Sequence, residues 1–67
     1  MNIKAARHRL GMSITEFAGL HRVAPQTVRR WEMAPDAQSY REPSGSALAF
    51  TQALLDGYRP KIIPQDP

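Results

Sequence analysis

Apolar residues recur along this chain at intervals of three and four, which is the period of an amphipathic α-helix. The pattern predicts four short helices, each bounded by residues that favour helix ends. The first helix runs from Asn2, a capping residue, to about Leu10, and Gly11 ends it as a left-handed C-cap. The inward side of this helix is formed by Ile3, Ala6, Arg7 and Leu10.

Residues 13–32 contain the second and third helices, which are joined by a tight turn. Ser13 stands three residues before Glu16, and this spacing predicts a capping box at the start of the second helix. Pro25 suits the first position of the third helix, where its missing N–H would have no intrahelical partner. The inward positions of the segment are Phe17, Ala18, Val23, Val28 and Trp31.

A loop over residues 34–43, with two prolines and no apolar period, precedes the fourth helix. That helix spans roughly 45 to 56, is capped by Ser44 or Ser46, and stops at Gly57. It carries two apolar faces, one formed by Ala47, Leu48, Thr51 and Leu55 and the other by Phe50, Leu54 and Tyr58. We expect the first face to pack on the other helices and the second to contact a second subunit; the alternative is that one small core takes up both faces.

The last segment, residues 58–67, contains three prolines and cannot be helical. Its residues Ile62 and Ile63 either lie extended across a second subunit or a neighbouring helix, or belong to a loose chain end. The predicted architecture is therefore all-α, with a four-helix domain over residues 1–57 and an extended C-terminal tail over residues 58–67.

The composition excludes several kinds of chemistry. The chain has 67 residues and no cysteine, which suits one small domain without disulfides or cysteine-based metal sites. His8 and His21 have no acidic or cysteine companion, so we expect no metal site and no cofactor. No catalytic triad or glycine-rich phosphate loop is present, which argues against an enzyme. No apolar run is long enough for a membrane span or a signal peptide, and we expect a soluble, cytoplasmic protein.

Positive charge is concentrated in the first half of the chain. The formal net charge is +3. Residues 1–33 hold six Lys and Arg against two Glu, whereas residues 34–67 hold three Lys and Arg against four acidic residues. This asymmetry favours a polyanionic partner that binds the first half, and the alternative is a basic surface that is merely solvated.

Residues 3–32 resemble the helix-turn-helix of the Cro/phage-repressor (XRE-like) family. The inward positions named above follow the family pattern, and Arg30, Trp31 and Glu32 form its typical closing tripeptide. The chain departs from the family at four positions: Ile14 replaces a frequent Gln, His21 an apolar residue, Arg22 a glycine, and Ala24 a Ser or Thr. The resemblance implies a lambda repressor-like four-helix fold, DNA binding, and an ion pair between Arg7 and Glu32.

The outward residues of the third helix have side chains that suit the major groove of double-stranded DNA. Gln26 can bind adenine N6 and N7, and Arg30, one turn further, can bind guanine O6 and N7. Arg29 is expected on a phosphate or a neighbouring base, and Thr27 on a thymine methyl or a phosphate.

Further contacts to the phosphate backbone are expected from outside this helix. The start of the second helix, with Ser13 and Thr15, can present backbone N–H groups to a phosphate. The family resemblance implies that the loop after the third helix follows the backbone, which points to Tyr40 and Arg41. The alternative is that Tyr40 packs over the edge of the core and Arg41 is solvated. Arg22 is equally consistent with DNA contact and with solvation.

Three functions are consistent with these features. The first is a homodimeric transcriptional repressor that binds an inverted repeat, regulates its own synthesis, and is encoded by a phage or mobile element. Anti-CRISPR-associated repressors are one such group. The second is an antitoxin whose proline-rich tail neutralises a toxin. The third is a protein-interaction module whose fourth helix binds another protein.

Overall fold

The computed structural model describes residues 1–60, and this part of the chain forms four α-helices and no β-strand. The helices are α1 (Ile3–Arg9), α2 (Ile14–His21), α3 (Pro25–Glu32) and α4 (Gly45–Leu55). These bounds confirm the predicted all-α, four-helix architecture, with α2 and α3 joined by a three-residue turn. Ile62, Ile63 and the rest of residues 61–67 lie outside the described residues.

The predicted capping residues begin three of the helices. Asn2 Oδ1 accepts a hydrogen bond from the N–H of Ala5 at 3.0 Å, and Ser44 Oγ accepts one from Ala47 at 3.1 Å. The capping box is complete: the N–H of Glu16 donates to Ser13 Oγ at 3.1 Å, and the Ser13 N–H donates to the Glu16 carboxylate at 2.9 Å. Sequence alone placed the starts of α1 and α2, and of the two candidates for α4 the structure selects Ser44 over Ser46.

The core is centred on three residues from three helices. Phe17 of α2 and Val28 of α3 are fully buried, and Leu54 of α4 is 1% exposed. Ile3 of α1 and Ala18 of α2 complete the buried cluster. Burial of each large apolar side chain contributes roughly 1.5–3 kcal/mol, which is a large contribution in a domain this small.

The packing of α4 contradicts the division of this helix into two apolar faces. Ala47, Thr51 and Leu54 are buried and form one stripe with helical spacing, and Phe50 and Leu48 pack beside it on the same core. The expectation that Leu54 lies on an outer face, available to a second subunit, was therefore wrong. Only Tyr58, beyond the helix, is a largely exposed member of that predicted face, at 53%.

Arg7 and Glu32 form the ion pair that the family resemblance implied. Arg7 Nε donates to Glu32 Oε2 at 2.7 Å and Nη2 donates to Oε1 at 3.1 Å, so the contact is bidentate. Nη1 also donates to the carbonyl of Met12 at 3.0 Å. The side chains of the pair are only 10% and 8% exposed. The hydrogen bond that Arg7 donates to Glu32 raises the pKa of Arg7, burial lowers this pKa, and the negative charge of Glu32 raises it further.

His21 is half-buried, and it connects α2 to α3 and α4. Its Nδ1 lies 3.0 Å from the carbonyl of Phe17, which can only accept, so in the neutral ring Nδ1 carries the proton. Nε2 lies 3.0 Å from the hydroxyl of Thr51. That hydroxyl has a single proton, and it also lies 2.9 Å from the carbonyl of Ala47, to which it donates. The ring also packs edge-on against Trp31 and Phe50. A buried threonine on α4 is thereby paired with a partner from another helix.

Replacement of Glu32 by alanine is expected to destabilise the domain by about 3–5 kcal/mol, because the buried guanidinium of Arg7 loses its partner. Urea unfolding followed by circular dichroism measures this change, and loss of the helical signal is the extreme form of the same result. Glu42→Ala, at an exposed loop position, is the matched control. In Arg7→Met/Glu32→Ala the loss should be smaller than in Glu32→Ala. Equal unfolding midpoints for Glu32→Ala and Glu42→Ala would show that the pair contributes no stability.

Replacement of Gly19 by alanine is expected to stabilise the domain by about 0.5–1 kcal/mol, because glycine within a helix is less favourable than alanine. A methyl group at Gly19 would meet no neighbouring atom within 4 Å. Gly57→Ala is the opposite control, since its backbone φ of 105° is unfavourable for alanine. The melting temperature should be highest for Gly19→Ala, intermediate for wild type and lowest for Gly57→Ala. Any other order contradicts the predicted effects of the two substitutions.

Candidate nucleic-acid interface

Helix α3 buries one side and leaves the other free. Val28 is fully buried and Trp31 is half-buried on the inward side. Gln26, Arg29 and Arg30 are exposed on the remainder of the helix. Contacts with α2 and α1 hold α3 in this orientation. The structure therefore brings together three of the four α3 side chains predicted to contact DNA as a solvent-facing set, and Thr27 lies half-buried beside them.

The electrostatics of this face depend on the position of one carboxylate. Glu32 lies on the same helix as Arg29 and Arg30, but its carboxylate is turned away and bound to Arg7. Neither Arg29 nor Arg30 takes part in an ion pair among residues 1–60. Both positive charges are consequently free to act on an external anion.

The loop after α3 returns to the end of that helix. The backbone N–H of Arg41 donates to the carbonyl of Arg30 at 3.3 Å, and the Arg41 guanidinium donates to the carbonyl of Tyr40 at 3.0 Å. Arg41 is exposed. This backbone contact adds a third arginine beside Arg29 and Arg30. No signal in the apolar pattern could have revealed it, because the hydrogen bond joins two backbone groups that are 11 positions apart.

Tyr40 packs at the edge of the core, which was the alternative to a contact with DNA. It is half-buried and lines a groove of about 300 Å³ between the start of α1 and the end of α3. Other residues in this groove include Ile3, Trp31 and Pro43. Tyr40 and Arg41 therefore separate, the first towards the edge of the core and the second towards solvent.

The start of α2 is less open than expected for a phosphate contact. The Ser13 N–H is already bonded to the Glu16 carboxylate, which also places a negative charge at this helix end. A phosphate that uses the Ser13 N–H must first displace Glu16. Thr15 is exposed, and as one of the first residues of the helix its N–H has no intrahelical acceptor. Ile14 is half-buried and packs against the core.

Arg22 ends α2 in a strained conformation. Its backbone has φ 58° and ψ 42°, the left-handed region, and it is the one non-glycine residue with positive φ among residues 1–60. This conformation costs an L-residue other than glycine roughly 1–2 kcal/mol. The turn that it makes is closed by the N–H of Val23, which donates to the carbonyl of Ala18 at 3.0 Å.

Comparisons extend these findings little. No family model, no curated protein and no solved structure was found to match this chain. Within residues 1–60, no group of three His, Cys, Asp or Glu side chains is placed to hold a metal ion. No helix in that same range has the length and apolar character needed to cross a membrane. His8 is exposed on α1.

Proposed function

We propose that this protein is a sequence-specific, DNA-binding transcriptional repressor that acts as a homodimer on an inverted repeat. The observation that carries the proposal is the solvent-facing set Gln26, Arg29 and Arg30 on a helix whose other side is anchored by the buried Val28. A helix fits the major groove of B-DNA, and its outward side chains then reach the base edges.

Base recognition is assigned to two residues of α3. Gln26 and Arg30 are four positions apart, so their side chains lie on one face about one helical turn from each other. The Gln26 amide matches adenine N6 and N7, and the Arg30 guanidinium matches guanine O6 and N7. Both side chains are exposed, as this role requires.

Contacts to phosphates are assigned to the residues that surround these two. Arg29 and Arg41 supply positive charge that takes part in no ion pair among residues 1–60, and Thr27 and Thr15 supply further polar groups. Such contacts place the protein on the duplex and carry no sequence information themselves. They also make the affinity depend on salt, because each neutralised phosphate releases counterions.

Dimer formation is proposed from the small core and from the exposed aromatic residue beyond α4. Tyr58 is 53% exposed, and its ring packs edge-on against Phe50 with the centroids 6.1 Å apart. A dimer would place two copies of α3 about one turn of DNA, roughly 34–36 Å, apart. The resemblance to small phage repressors further favours autoregulation and an origin in a phage or mobile element.

Selection of bound sequences from random duplexes is the experiment that tests this function. An enriched inverted repeat whose half-sites are about 10 base pairs apart supports the proposal. The affinity of wild-type protein for the selected duplex should fall linearly with the logarithm of salt concentration. No enrichment, or salt-independent capture, contradicts it and instead supports the antitoxin or protein-interaction alternatives.

Arg30→Ala is expected to lower affinity for the selected duplex by about 1–3 kcal/mol and to relax base preference at one position of each half-site. Arg9→Ala removes an exposed arginine of α1 and serves as the control of equal charge. Titrations of duplexes with each base at every position measure both effects. If Arg30→Ala and Arg9→Ala have the same base preferences as wild type, Arg30 does not read the sequence.

Tyr58→Ser is expected to shift the protein towards monomers in sedimentation, because it removes the exposed aromatic ring without opening the core. Leu54 is unsuitable for this purpose because its substitution would disrupt the buried cluster. Thr15→Ser, at an exposed position of α2, is the control for handling and concentration. A dimer of wild-type strength in Tyr58→Ser places the contact between subunits elsewhere.

A further inference from the structure

We propose that Arg22 contacts a DNA phosphate at the rim of the groove that α3 enters, and that the strained turn exists to place it there. The inference rests on the proposed function and adds to it a contact from outside α3. Three observations carry it: the backbone of Arg22, the state of its side chain, and its position in the chain.

The backbone of Arg22 is in the left-handed region, where glycine is favoured and a residue with a side chain is strained. The residue is exposed, and it lies at the edge of a groove of about 290 Å³ between the end of α2 and the start of α4 without entering the buried core. A residue held in an unfavourable backbone conformation is a reason to look for a functional role. Here the role must belong to the side chain, since glycine would make the same turn with less strain.

The guanidinium of Arg22 has no hydrogen-bond acceptor and no ion-pair partner within the described part of the chain. Arg7 and Arg59, by contrast, each bond to carboxylate or carbonyl groups of the protein. An arginine that has five N–H donors and no acceptor in its own domain is suited to bind an external anion.

Arg22 precedes the start of α3 by three positions. Even a fully extended chain could place its Cα no more than about 14 Å from that of Gln26. The major groove is about 12 Å wide and is bordered by phosphates on both sides. When Gln26 lies over a base edge, this short separation allows the long Arg22 side chain to extend to the nearer phosphate row.

The experiment compares wild-type protein with Arg22→Gly and Arg22→Lys on the selected duplex over a range of salt concentrations. Arg22→Gly should lower the slope of log affinity against log salt by about one and weaken binding about tenfold at 0.1 M salt. Its melting temperature should equal or exceed that of wild type, because glycine relieves the strain. Arg22→Lys should retain the wild-type slope, since the positive charge is preserved.

Several outcomes are decisive. Weaker binding with a lower slope, similar across base variants, and with no loss of thermal stability supports the phosphate contact. A wild-type slope in Arg22→Gly overturns the inference while leaving the proposed function in place. Altered base preference in Arg22→Gly also overturns it, because Arg22 would then read a base. Failure of wild-type protein to bind any duplex overturns the proposed function and this inference together.

Discussion

The bidentate contact between Arg7 and Glu32 is the constraint on which the rest of the structure depends. It joins α1 to the end of α3, and the third hydrogen bond of Arg7, to the carbonyl of Met12, also holds the turn that leads to α2. Both partners are almost fully removed from water, where separation of the pair would leave a buried charge. In a domain with so few buried apolar residues, this polar contact restricts the orientation of α3 relative to α1.

The same contact shapes the outward surface of α3. A free carboxylate at Glu32 would lie near Arg29 and Arg30 on one short helix and reduce their attraction for an anion. Because Arg7 binds that carboxylate, the arginines remain without intramolecular partners in the described structure. Stability and surface charge are thus linked through Arg7. By binding the Glu32 carboxylate, this residue of α1 leaves the positive charges of α3 that are proposed to contact DNA without a neighbouring negative charge.

The turn between α2 and α3 contains residues that are unfavourable for their backbone positions. Most of the fold uses residues suited to their local conformation, such as Asn2, Ser13 and Ser44 at helix starts. Arg22 does not follow this rule, and neither does Ala24, which begins α3 without a side-chain cap. Local rules are broken on both sides of one short turn, next to the helix proposed to enter the groove. Departures of this kind concentrate at functional sites, where position matters more than local stability.

The features that could be predicted from the sequence are those formed by residues close to one another in the chain. Caps, the proline at the start of α3 and the apolar period are local, because each depends on residues within one or two turns, and the four helices and the capping box were predicted from them. The ion pair came from the family resemblance instead. Burial of Leu54, the bond between Arg41 and the Arg30 carbonyl, and the contact of His21 with Thr51 were not predicted. Each joins segments distant in the chain, and only tertiary packing brings residues from both predicted faces of α4 onto one core and determines which distant polar groups meet.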